Sequence, residues 1–114
     1  MAVHTCKLEE SGSSIRCSWP KSAVKIKVGD TVKFVSEYGN VRLEFGDDCP
    51  FLADKITSVV AFYVKKGAPL SLKVKRLGRG KSYHFLCTKG EPALWDPKHD
   101  PKAGGDVPPS KPPG

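Results

Sequence analysis

No stretch of this 114-residue chain approaches the roughly 20 consecutive apolar residues of a membrane-spanning helix. The opening Met1-Ala2-Val3-His4 lacks a charged segment followed by an apolar run, so either cytosolic synthesis or prior removal of a leader is expected. Methionine occurs once, at Met1, and the three histidines, His4, His84 and His99, are scattered. None of the four cysteines forms a C-x-x-C pair, which counts against a structural zinc site. Catalytic signatures are also missing. Gly78-Arg-Gly80 is too short to cradle phosphates, Asp47-Asp48 after a glycine reads as a turn, and no nucleophile stands in a triad pattern, so no enzyme is expected. Aromatic residues stop at Trp95, and acidic residues are absent between Lys65 and Lys81.

What is present is alternation with period two. Val24, Ile26 and Val28 alternate with Lys25 and Lys27; Val41, Leu43 and Phe45 alternate with Arg42 and Glu44. Leu70, Leu72 and Val74 repeat the pattern, as do Tyr83, Phe85 and Cys87, and each run reads as a half-buried strand. Turn signals at Gly29-Asp30, Gly39-Asn40, Gly46-Asp47 and Gly78-Arg79-Gly80 separate them at the spacing of a sandwich or barrel. Phe51 to Val64, rich in β-branched and aromatic residues, is expected to be mostly strand. The class is all-β, with one domain over residues 1–95. Residues 96–114 hold six of the ten prolines and are expected to form a proline-rich flexible tail, whose end suits a polyproline-binding groove. Trp95 is expected to cover one end of the sandwich.

The run from Ser18 to Phe34, with its Gly29-Asp30 turn, resembles the opening of a cupredoxin. Gly39 to Phe45 resembles the strand that carries that family's first copper histidine. Lys66 to Leu72 and Ser82 to Cys87 resemble the penultimate strand and the strand that ends in the copper cysteine. The resemblance covers roughly Ile15 to Lys89 and implies a cupredoxin-like Greek-key β-sandwich. It also implies a blue-copper site, for which two imidazoles, a thiolate and a weak axial ligand are needed. Of that set this chain keeps Cys87 alone. Val41 stands at the first histidine position, and no histidine follows Cys87 by two to five residues. A nonstandard copper-binding or electron-transfer site would have to draw on Cys87, Cys49 and His99. His84 alternates to the other face of its strand, and it and His4 are expected to be solvated.

An even cysteine count in a small domain points to disulfides, and so to a periplasmic or other extracytoplasmic location, with the cytoplasm as the alternative. Cys6 and Cys17 are equidistant from Ser11-Gly12, so a two-residue turn there sets them opposite each other. Cys49 and Cys87 remain as the second pair. Charge is uneven: the whole net charge of +7 comes from Lys65, Lys66, Lys73, Lys75, Arg76, Arg79 and Lys81. These seven are expected to form a basic hairpin that docks an anionic protein or surface. The resulting expectation is a monomeric, non-catalytic binding module without a cofactor. Copper carriage at Cys87 is the main alternative, and a nucleic-acid-binding barrel accounts for the charge but not for the order of the family-like segments.

Overall fold

The computed structural model describes residues 2–11, 14–19, 25–78, 81–88 and 104–107. Among them every regular element is a strand. The strands are β1 (Val3–Ser11), β2 (Ser14–Ser18), β3 (Thr31–Ser36), β4 (Val41–Phe45), β5 (Val60–Val64), β6 (Leu70–Lys73), β7 (Tyr83–Thr88) and β8 (Gly105–Val107). They form two four-stranded sheets in the orders β2-β1-β3-β6 and β5-β4-β7-β8. Pairing is antiparallel except between β1 and β3, which run parallel. No helix among the described residues is long and apolar enough to cross a membrane.

Alternation puts the core where the sequence pattern sets it. Val32 and Phe34 from one sheet meet Leu43, Phe45, Val64 and Phe85 from the other, all fully buried. Phe34 packs edge-on against Phe51 and Phe85, with ring centroids 5.9 Å and 5.7 Å away, and Phe45 lies 5.3 Å from Phe85. Such offset and edge-to-face contacts set the positive rim of one ring against the negative face of the next. Tyr83, at the start of β7, is buried, and its hydroxyl accepts the Gly78 amide at 2.8 Å, which ties down the crossing from β6 to β7.

Four expectations need correction. Lys25–Val28 forms no strand: Asp30 takes the Lys27 amide on its carboxylate while its own amide donates to the Lys27 carbonyl. That turn leaves Ile26 buried but Val28 59% exposed. Between Phe51 and Val64 only β5 is extended, and bends occupy most of the remainder. Within the stretch expected to be a tail only residues 104–107 are described, and Gly105–Val107 forms β8, in which Val107 is fully buried opposite Tyr83; the rest of that stretch lies outside the described residues. Finally, the β1–β2 register pairs Ser11 with Ser14 and Leu8 with Cys17, so Cys6 and Cys17 do not stand directly opposite each other.

Cys6 and Cys17 are nevertheless joined, as a diagonal pair with Cα atoms 6.0 Å apart. A register offset by two residues keeps both on the inner face, and diagonal neighbours stay within disulfide reach. The bridge closes a loop with a sequence separation of 11. Reduction is expected to cost about 2–3 kcal/mol, mostly by freeing the unfolded chain. Urea midpoints of oxidised and reduced protein check this, and coincident midpoints would show that the bridge does nothing for stability.

β8 depends on glycine. Gly104 has φ of 72°, and a side chain there would run into the Phe85 carbonyl. At Gly105 an added Cβ would lie 2.6 Å from the Cys17 Cβ. Both glycines let the chain press against the disulfide and Phe85, and the Cys17 amide donates to the Gly104 carbonyl at 3.2 Å. β8 thereby pairs with β7 in one sheet while Gly104 bridges Arg16 in the other.

Candidate functional site

The basic segment is not a hairpin. Lys65 and Lys66 lie in the turn after β5, at the end of the sandwich where β4 begins. β6 then runs antiparallel along the Thr31–Phe34 part of β3, with Phe34 opposite Leu70 and Thr31 opposite Lys73. Lys73 and Lys75 therefore sit at the opposite end. Lys65, Lys66, Lys73 and Lys75 are all exposed. Arg79 lies outside the described residues.

Arg76 and Lys81, counted with the docking cations, are engaged elsewhere. Arg76 grips the buried carboxylate of Asp48 through both terminal nitrogens, at 2.9 Å and 2.5 Å, and Lys81 approaches it at 3.4 Å. The guanidinium, helped by the Cys49 amide and Lys81, holds the Asp48 carboxyl well below the usual carboxylate range despite its burial. Reading Asp47-Asp48 as a turn thus found the bend but missed the ion pair. Nothing in local sequence pairs residues 28 positions apart. Strand order does, because the Lys75 and Arg76 amides both donate to the Pro50 carbonyl.

His4 and His84 are likewise not solvated. His4 Nε2 lies 2.8 Å from Asp30, and their side chains are only 14% and 9% exposed. With the Ala2 and Lys27 amides, this contact draws the Asp30 carboxyl down to about 2. His84 points away from the core and meets Asp106 of β8 at 2.9 Å. His99 and Trp95 lie outside the described residues.

Of the residues expected to hold a metal, Cys87 and Cys49 are described, and they are not bonded to each other. Cys87 sits opposite Leu43 on the inner phase of β7, and burial pushes its thiol up to about 12. Cys49 is fully buried, and burial raises its thiol to about 11. The second disulfide does not form: both are free thiols. The chain after Phe45 stays at the end where β7 begins, held by the Pro50 contacts, while Cys87 lies four residues further along β7, roughly 13 Å away at the usual rise per residue. Val41 is buried and faces Val64 of β5. Among the described residues no three of histidine, cysteine, aspartate and glutamate are grouped as metal ligands. Protonated thiols, an apolar valine, and His4 and His84 turned to aspartate partners do not fit a blue-copper centre.

The outer faces of the two sheets differ. On β4 and β7 the outward charges are neutralised: Arg42 donates to buried Glu44 at 3.2 Å and to the Tyr63 hydroxyl at 2.7 Å, and His84 meets Asp106. On the other sheet Lys7, Arg16, Lys33 and Lys73 point outward, with Glu9 as the sole carboxylate among the described outward positions. Comparison with protein-family models, with characterised proteins and with solved structures finds no match.

Proposed function

We propose that this protein is a non-catalytic, extracytoplasmic binding module of cupredoxin-like build that docks an anionic partner through its exposed lysines. The observation that carries the reading is the division of the basic segment. Arg76 and Lys81 are tied to Asp48, while Lys65, Lys66, Lys73 and Lys75 stand exposed with no ion pair among the described residues. Four cations left free in a chain of net charge +7 generate a field that attracts anions and weakens as salt shortens the screening length.

The cupredoxin-like part is supported by the connections. The chain crosses between sheets at β3–β4, β5–β6 and β6–β7, so that β6 returns beside β3 and β7 beside β4, as in a Greek key. The extracytoplasmic part is supported by the Cys6–Cys17 bridge, since disulfides persist in oxidising compartments.

The test compares the wild type with a Lys65→Glu, Lys66→Glu, Lys73→Glu, Lys75→Glu variant on immobilised heparin and immobilised polyglutamate. The expected result is retention of the wild type at low salt and early elution of the variant. A wild type that passes through both columns at low salt would overturn the reading.

A further inference from the structure

We propose that the outer face of the β2-β1-β3-β6 sheet binds an extended sulfated polysaccharide along a diagonal of Lys7, Lys33 and Lys73. This rests on the reading above and extends it from Lys73 across the sheet.

Register fixes the geometry. Lys7 stands opposite Val35 on β3, two residues from Lys33; Lys73 stands opposite Thr31, two residues from Lys33 in the other direction. Neighbouring strands lie about 4.8 Å apart and two residues span about 6.6 Å, so each lysine Cα is about 8 Å from the next. The three therefore form one straight stripe across β1, β3 and β6. Hydroxyl side chains flank it: Thr5 and Ser71 share a row with Lys33, and Thr31 shares one with Lys73. Alternating ammonium and hydroxyl donors suit a chain that bears sulfates at intervals and hydroxyls between them.

The bland explanation of strand lysines is protection of open edges. It serves Lys73, because β6 is an edge strand. It does not serve Lys7 or Lys33, because β1 and β3 are interior strands with both sides paired. Lysine is depleted in strands, and like charges on neighbouring strands repel, so an unpaired row of them on a sheet's middle needs a reason beyond folding. None of the three is in an ion pair among the described residues.

The same face argues for polysaccharide over single-stranded nucleic acid. Proteins that hold single strands lay the bases on aromatic platforms. No aromatic stands on the outward phase of β1, β2, β3 or β6. One aromatic borders the face from beyond the end of β2: Trp19 lines a groove of 310 Å³ with Thr5, Lys7, Glu9 and Ser18. A single indole beside hydroxyls at one end of the stripe matches a sugar ring better than a series of bases.

The test uses the full chain, a fluorescein-labelled heparin octasaccharide and a labelled single-stranded oligonucleotide of equal charge, read by fluorescence anisotropy over a salt series. The Lys7→Gln, Lys33→Gln variant is expected to bind the octasaccharide about tenfold more weakly, with a log–log salt slope shallower by about two. If the double variant does not fold, each single variant is expected to lose about threefold. Undiminished binding by a folded double variant overturns the stripe. If a Lys65→Glu, Lys66→Glu variant loses the octasaccharide while Lys7→Gln, Lys33→Gln keeps it, the stripe is wrong and the anionic-partner reading stands. Oligonucleotide binding as tight as octasaccharide binding overturns the choice of partner. A wild type that binds neither probe overturns the stripe, whereas the anionic-partner reading then stands or falls with the polyglutamate column.

Discussion

Replacing Phe85 by alanine is expected to destabilise the protein by roughly 3–5 kcal/mol, the usual range for truncating a fully buried phenylalanine. Phe85 is fully buried on β7 and touches the rings of Phe34, in the facing sheet, and Phe45, on the neighbouring strand. Its loss therefore removes the transfer energy of one ring, two ring–ring contacts and the surface against which β8 lies. An added Cβ at Gly105 would be only 3.1 Å from the Phe85 ring, so the two residues are in close contact and neither strand fills the other's space readily. Small domains have few kilocalories to spare, so a large population of unfolded chains at room temperature is the expected result. Denaturant titration followed by tryptophan fluorescence measures it. A loss below about 1 kcal/mol would mean that the two sheets do not meet at this ring.

The second large effect is electrostatic. Arg76→Gln strips the bidentate cation from a carboxylate with a 4% exposed side chain. An uncompensated buried charge is among the costliest single defects. Lys81, 3.4 Å from the same carboxylate, offsets part of it, so a drop in Tm of about 10 °C is expected at neutral pH. The effect depends on pH in a defined direction. Because the folded state holds the Asp48 carboxyl below its ordinary value near 4, the pair stabilises the protein above that value, and the contribution fades as the pH falls. Asp30, drawn down to about 2 by His4 and two backbone amides, has the same sign. The wild type should therefore lose stability between about pH 4 and pH 2, and its Tm advantage over Arg76→Gln should shrink over that range. A gap that stays constant down to pH 2 would show that Arg76 acts through packing rather than charge.

Several elements were legible because their pattern is local. Val41-Arg-Leu-Glu-Phe45 and Tyr83-His-Phe85 alternate cleanly, and both are strands with the expected residues inside. Lys25 to Val28 alternates just as well and is not a strand, because the Asp30 carboxylate captures a backbone amide that a ladder would need. Periodicity does not register that competition. β8 failed in the opposite way. Gly-Gly-Asp-Val has almost no strand propensity, and its place comes from room that only glycine leaves beside Cys17 and Phe85. The disulfide was readable from spacing although its register was not, since shifting a hairpin by two residues preserves which side chains face inward. The basic run was visible as composition, but its division between a buried ion pair and two ends of the sandwich follows from long-range pairing. Lys7 and Lys33 carried no signal at all, because 26 residues separate them in sequence and one interstrand step joins them in the fold.

The placement of β8 sets an order of events for the nascent chain. Every other sheet pairing among the described residues lies before residue 89, yet the outer edge of β7 and the Cys17 wall of β2 wait for residues 104–107. Until those residues arrive, the half-built sandwich presents a free strand edge in which each second residue is apolar, the kind of template that recruits neighbouring chains. Pairing with Gly105–Val107 thus covers the Tyr83–Phe85 part of that edge and leaves a three-residue strand, rather than the longer β7, at the border of the sheet.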